Sequence, residues 1–244
     1  MIFDRNEKKQ MVALLGAGSM GTAIVRRIAA GKKILLGDIS EKALERVGDD
    51  FRRSSYDVET CVVNALELES IETFAQRAAS LGPVMYFIDT AGASPNQASP
   101  EHIVALDMVG TGYAVDAFGR VMAEGGAGLI ILSQAAYMYP IPNEDELQIV
   151  NAATDELAAL PIVRDVAMQN SGLAYMIAKR VNHLLAQRAA ATAWIRATRL
   201  PMPPRSSLAN TPPSSTAPTC SSTAVSSPPS ARGCSNYKDK SVHK

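Results

Sequence analysis

Apolar positions fall in short unbroken runs separated by stretches with helical spacing. Met11–Leu15 is an apolar run that ends in glycines, and residues 22–30 follow with a 3.6-residue period. Residues 33–37 form a second run, 41–47 a second helical stretch, and 61–63 a weak third strand. Residues 70–81 are helical and stop at Gly82-Pro83, after which Val84–Asp89 reads as a strand. A long apolar-rich helix is expected over 101–123, stopped by Gly125-Gly126, then a strand over 128–133 and a last long helix over 170–198. Alternating strands and helices predict an α/β fold, a parallel sheet with helices on both faces. Leu129–Leu132 is apolar without alternation, as expected of a strand covered on both sides.

The pattern breaks near residue 200. Residues 201–244 hold 8 of the 14 prolines, 11 serines and no apolar periodicity. Such a segment cannot bury enough surface to offset chain entropy, so it is expected to be a disordered Ser/Pro-rich tail after a domain over residues 1–200. The whole chain carries 24 basic and 24 acidic side chains, but residues 1–200 hold 19 against 23, so the tail is the basic part. A balanced charge gives no electrostatic reason to expect nucleic acid or an anionic membrane as partner. No apolar run is long enough for a membrane helix, and the charged N-terminus does not look like a signal peptide, so the expectation is a cytoplasmic protein. Three cysteines and three histidines without ligand spacing point to no metal site.

The candidate chemistry begins in the first strand–helix turn, Gly16-Ala17-Gly18-Ser19-Met20-Gly21, a G-x-G-x-x-G in its required context. Gly16 suits the tight turn, Gly18 the close approach of a pyrophosphate, and Gly21 close packing of helix on strand. The helix N-terminus, with Ser19 and Met20, favours the anion. Asp38 closes the second strand 22 residues after Gly16, where a carboxylate accepts hydrogen bonds from ribose hydroxyls and repels a 2′-phosphate. NAD is therefore expected over NADP. Tyr175 and Lys179 lie four apart on the last helix, on one face. An ammonium beside a phenol suits proton exchange with a carbonyl oxygen. Ser133 ends the strand at 128–133, where a hydroxyl can polarise a carbonyl.

In this order the features resemble the short-chain dehydrogenase/reductase family over about residues 10–198. LLGAGSMGTAI is similar to the cofactor loop, GDIS (with Asp38 and Ile39) to the adenosine-reading turn, and CVVNA (with Asn64 and Ala65) to the adenine-contacting strand end. Asn64 stands where the family usually has Asp. DTAG, ending in Ala91 and Gly92, resembles the N-N-A-G turn, and AYMIAKRVNHL the catalytic helix. The resemblance implies a Rossmann-type doubly wound sheet, with Ser133, Tyr175 and Lys179 catalytic and Lys179 also on the nicotinamide ribose. It implies NAD-dependent interconversion of a secondary alcohol and a ketone, and a homodimer or homotetramer.

The chain departs from the family in several places. The glycine loop is one residue tighter. Asp107 stands where the family places the Asn of its proton relay, and could still hold a water. Ser133 and Tyr175 are 42 residues apart, leaving an insert at about 140–168 whose NEDEL and TDELAAL stretches read as helical. The last strands of the family are missing before the tail. That change motivates the expectation of an out-of-frame, engineered or damaged terminus, with reduced stability, weak NAD binding and an apolar edge on the fifth strand. Two other readings stay open. One is another G-x-G-x-x-G dehydrogenase class, the hydroxyacyl-CoA or imine-reducing enzymes. The other is a nucleotide-binding but catalytically impaired homologue. Tyr137, Met138 and Tyr139 suit a pocket or the core equally, and His102 and His183 are expected to be solvated or packed.

Overall fold

Five strands are ordered β3-β2-β1-β4-β5 in one parallel sheet in the computed structural model, which describes residues 8–199, with side chains to residue 192. The reading of 201–244 as a disordered or altered tail lies outside the described residues. The strands are β1 (Met11–Leu15), β2 (Lys33–Asp38), β3 (Asp57–Val62), β4 (Val84–Asp89) and β5 (Met122–Ile130). Helices α1 (Ser19–Ile28), α2 (Glu41–Arg53) and α3 (Leu68–Leu81) make the first crossovers. The chain moves outward from β1 to β3, then returns to the far side of β1 for β4. Strand order thus reverses between β1 and β4, and a crevice opens at their carboxyl ends.

Burial explains why the strands lack alternation. All five residues of β1 are buried. Met11, Ala13 and Leu15 pack with Phe74, Phe87 and Phe118 on the α3 side, while Val12 and Leu14 pack with Val25, Leu44 and Phe51 on the α1–α2 side. Phe118 stacks on Phe87 at 3.8 Å between ring centroids and meets Phe74 edge-on at 5.6 Å. Both faces of the strand are thereby dry, as parallel sheets require.

Three expectations change. The helix expected over 101–123 is divided into α4 (Pro100–Ile103), a π-helical segment (Val104–Gly110) and α5 (Thr111–Val121). The wider turn shifts the side-chain register, so the consecutive residues Asp107 and Met108 are both fully buried. Gly125-Gly126 does not end a helix. It lies inside β5, where β5 inserts three residues more than β4 between the pairs Val84–Met122 and Tyr86–Ala127. Glycine suits such a bulge, and Gly125 has φ +75°. Strand β5 therefore starts earlier than expected and ends at Ile130. Among the described residues it is the sheet edge, but glycine and alanine make up most of it rather than large apolar side chains.

The insert holds α6 (Asn143–Asn151), which contains NEDEL, while Thr154–Ala159 forms a 3-10 helix rather than an α-helix. The last helix, α7 (Ser171–Arg199), packs on α4, the π segment and α6 through Ile103, Met108, Ile149, Ile177 and Val181. No strand residue joins that cluster. A third apolar core thus seats α7 on other helices.

The π segment depends on a close backbone approach at Gly110, where a Cβ would lie 2.5 Å from the Ala65 carbonyl oxygen. Gly110→Ala is expected to destabilise the chain by about 1–3 kcal/mol, the usual cost of overpacking a tight contact. Urea denaturation of the full chain checks this, and an unchanged midpoint would remove Gly110 as the contact that sets the segment.

Candidate active site

The glycine loop is shaped from below by the turn after β4. Gly16 has φ +91°, and a Cβ on it would lie 2.7 Å from the Ala91 amide nitrogen, so no other residue fits. The Thr90 hydroxyl donates to the Gly16 carbonyl at 2.9 Å, and the Gly16 N–H donates to the Gly37 carbonyl at 2.8 Å. Above Gly18 the space is open, with nothing within 4 Å of where a Cβ would be. At Gly21 a Cβ would meet Leu14 and Thr90 at 2.6 Å, so α1 sits close on β1 as the spacing implied.

Gly18 precedes α1 without a side-chain cap, and no acidic residue lies in the first turn. The N–H groups of Ser19, Met20 and Gly21 thus have no carbonyl one turn back within α1, and no carboxylate competes for them. That end of α1 carries the positive pole of the helix dipole and suits an anion.

Asp38 ties this turn to the one after β2. Its Oδ2 accepts the Ala17 N–H at 2.7 Å and its Oδ1 accepts the Ser40 N–H at 2.8 Å. The carboxylate keeps free lone pairs toward the cleft, since each oxygen can accept more than one bond. Asn64 is more committed: its Nδ2 donates to Glu67 at 2.7 Å and its Oδ1 accepts the Leu66 N–H at 3.1 Å.

A cleft of about 320 Å³ opens between these groups. Gly16, Gly18, Asp38, Ile39, Asn64, Ala65, Ala91 and Gly92 all line it, which brings together eight of the cofactor-binding residues expected from sequence. Thr90, His102 and Leu106 line it too and were not foreseen as cleft residues. For His102 no signal existed, because its place depends on α4 ending beside the cleft. Ser19, Met20, Gly21, Ser133, Tyr175 and Lys179 are not in the lining.

The catalytic candidates lie one residue further on. Gly92 lines the cleft, and a Cβ on it would be 3.2 Å from Asp107 Oδ2. Asp107, fully buried, accepts the Ala93 N–H at Oδ1 at 2.7 Å and faces Lys179 Nζ with Oδ2 at 2.9 Å. Oδ2 has no aligned hydrogen bond, so this contact is ionic. Asp107, at the position expected for the relay, thus makes a direct ion pair with Lys179. Lys179 is 6% exposed, and its Nζ lies 5.4 Å from the centre of the half-buried Tyr175 ring.

Ser133 caps a 3-10 turn (Gln134–Tyr137), its hydroxyl oxygen accepting the Ala135 N–H at 3.2 Å. The turn is fastened to α7 by a 2.8 Å hydrogen bond between the Tyr137 hydroxyl and His183 Nδ1. Tyr137 is thus neither core nor cleft, and His183 is hydrogen-bonded rather than simply solvated.

Sequence reasoning named Asp89 only as a strand end and the first residue of the DTAG turn, and gave it no role of its own. It ends β4, is 3% exposed, and accepts the Ala91 N–H at 3.0 Å. Burial pushes its carboxyl up from 3.8 to about 7. The Ala91 N–H, the Lys179 charge and a hydrogen bond to Thr111 pull against that shift, and the Asp107 charge adds to it.

No family model matches the chain. A short-chain dehydrogenase/reductase of Alternaria brassicicola, bsc3, is 33% identical over 187 residues, 76% of this chain and 68% of that protein. A galactitol 2-dehydrogenase (L-tagatose-forming) of Cereibacter sphaeroides is 29% identical over 49% of this chain and 50% of its own. Among solved structures, a short-chain dehydrogenase from Mycobacterium smegmatis superposes with a TM-score of 0.58 at 16% identity, covering 78% of this chain and 72% of its own. A metagenomic short-chain oxidoreductase in complex with NADP gives 0.57 at 18% identity, covering 76% and 77%. The sheet is the Rossmann-type, doubly wound architecture of an oxidoreductase class. The chain belongs to the short-chain dehydrogenase/reductase family.

The residues present fit the nicotinamide dinucleotide that family members bind. An uncapped helix N-terminus faces open space above Gly18, and the cleft beside it ends in a carboxylate. Gly16, Gly18 and the first turn of α1 would hold the pyrophosphate and Asp38 the adenosine ribose. Among the described residues, no helix is long and apolar enough to cross a membrane.

The buried Asp89 makes stability depend on pH in an unusual direction. Its folded value of about 7 lies above the ordinary carboxyl value of 3.8, so between those limits the native state holds a proton that the unfolded chain releases. Stability from this group is present at the acid end and is lost as pH rises through about 7. Relative to Asp89→Asn, the native chain is expected to lose about 1.4 kcal/mol per pH unit between roughly pH 4 and 7. Urea titrations of both proteins across that range check it. Parallel curves would mean that Asp89 keeps an ordinary carboxyl.

Proposed function

We propose that this protein is an NAD-dependent oxidoreductase that interconverts a secondary alcohol and a ketone. The observation that carries the reading is the continuity of cleft and catalytic helix. The cleft runs from Asp38 to Gly92, and one residue later the Ala93 N–H is held by Asp107, the partner of Lys179. Lys179 in turn reaches beside Tyr175 on the same face of α7.

When bound, a nicotinamide cofactor would supply the hydride donor in reduction and the hydride acceptor in oxidation. Tyr175 gives its hydroxyl proton to the carbonyl oxygen in reduction and removes it from the alcohol in oxidation. The Lys179 ammonium provides positive charge for the phenolate left behind. Ser133 donates a hydrogen bond to the same oxygen as charge develops there. The hydroxyl hydrogen of Ser133 remains available for this, because its bond to Ala135 uses the oxygen as acceptor. Val63, Ala65 and Leu106 give the cleft apolar walls.

Tyr175→Phe is expected to lower kcat by about 10²–10⁴-fold while the rise in melting temperature on adding NAD is retained. Steady-state assays over an alcohol panel, with a thermal melt beside them, read both. A second reading, a nucleotide-binding homologue without turnover, draws on the fact that Ser133 and Tyr175 lie outside the cleft lining. Under it, NAD shifts the melting point and no alcohol is oxidised by either protein.

The preference for NAD rests on Asp38, whose carboxylate opposes a 2′-phosphate at the ribose. Asp38→Asn is expected to lower the NAD-to-NADP ratio of kcat/KM by about tenfold or more, equal to roughly 1.4 kcal/mol. An unchanged ratio would place cofactor discrimination elsewhere.

A further inference from the structure

We propose that Asp107 is the counter-ion that positions Lys179, and that Asp89 completes a buried carboxylate–ammonium–carboxylate unit whose protonation sets the charge facing Tyr175. This deepens the oxidoreductase reading and rests on it for the role of Tyr175.

The unit joins three separate parts of the chain: the carboxyl end of β4, the π segment and the middle of α7. All three side chains are nearly dry, with Asp89 3%, Asp107 0% and Lys179 6% exposed. The charged groups acting on Asp89 are Lys179 from α7 and Asp107 from the π segment. The Thr111 hydroxyl and the Ala91 N–H are its neutral partners. Asp89 and Asp107 accept N–H groups two residues apart in the turn after β4, Ala91 at 3.0 Å and Ala93 at 2.7 Å, so two acids share one ammonium, and the unit is neutral with one carboxylate ionised and carries one negative charge with both. A buried ammonium requires a counter-charge. Asp107 is the one in contact, at 2.9 Å, and its other oxygen is fixed by the Ala93 N–H. Asp89 is the member that exchanges a proton near neutrality, in line with its carboxyl being pushed up to about 7.

The consequence lies in the field at Tyr175. An ammonium already offset by a carboxylate delivers less positive charge to a neighbouring phenol than an unpaired one. Ionisation of Asp89 weakens that charge further. Oxidation, in which Tyr175 takes up a proton, is therefore disfavoured while both acids are ionised, and reduction is favoured. An amide at position 107 would leave the unit one charge more positive above the Asp89 transition. The acid limb of the oxidation profile would then move to lower pH.

Two readouts on the full chain separate this proposal from the oxidoreductase reading. The first needs no turnover. It is a ¹³C NMR titration of the aspartate carboxyls, with the Asp89 signal assigned by its loss in Asp89→Asn. Asp107→Asn should lower the proton affinity of Asp89 by about tenfold or more, and Lys179→Met should raise it. If Asp89 titrates at one pH in native chain, Asp107→Asn and Lys179→Met alike, the unit does not exist and the proposal is overturned.

The second readout is the pH profile of kcat for NAD-linked alcohol oxidation. A shift of its acid limb to lower pH in Asp107→Asn supports the positioning role. An unmoved limb in an active variant overturns it. Shifted Asp89 titrations in a chain that oxidises no alcohol would uphold the buried unit and sink the oxidoreductase reading instead. Should Asp107→Asn fail to fold, Lys179→Met carries the NMR arm. Asp89→Asn then carries the kinetic arm, with the same direction of shift expected above pH 7.

Discussion

A buried ammonium must have an anion beside it, and the arrangement of this active site follows from that requirement. Lys179 sits on a helix whose apolar cluster includes no strand residue, yet its charge is balanced by Asp107 and acts on Asp89 at the end of a central strand. The ion pair ties α7 to the π segment. It also fixes the turn after β4, because Asp107 holds the Ala93 N–H with its other oxygen. Removing one partner of such a pair leaves an uncompensated charge, which costs far more than the pair itself contributes.

The second constraint is topological. A parallel sheet that reverses its strand order between β1 and β4 opens a crevice at the carboxyl ends of those strands. The glycine turn, Asp38 and the Thr90–Gly92 segment all border it, and each supports another. Thr90 bonds the Gly16 carbonyl, Asp38 bonds the Ala17 N–H, and Ala91 leaves no space for a Cβ at Gly16. The loop is thus held in its open form before any ligand arrives, which lowers the entropy cost of binding. The same economy applies to Asp38, which serves both as a backbone anchor and as a lining group of the cleft.

Membership of the short-chain dehydrogenase/reductase family accounts for the sheet that borders the site. Two acids, Asp89 and Asp107, stand around one lysine, so the site's charge state changes near neutral pH in a way that a neutral surround would not produce. The π segment makes this possible, since its wider turn carries Asp107 to full burial within an otherwise amphipathic helix.

The sequence by itself determined the glycine turn, the acid after the second strand, the parallel α/β class and the shared face of Tyr175 and Lys179. Each of these is local: fixed spacing on one element, or one turn between two, dictates it. Only the tertiary structure decided what Asp107 does, that Asp89 matters, and that Gly125-Gly126 belongs to a bulged strand. Those outcomes depend on which elements meet. The ion pair joins residues 72 positions apart, and the bulge exists because β5 must keep register with β4. The π turn was hidden because the apolar spacing of 101–123 fits an ordinary helix almost as well. Burial and partnership are properties of the packed chain, and a linear pattern carries neither.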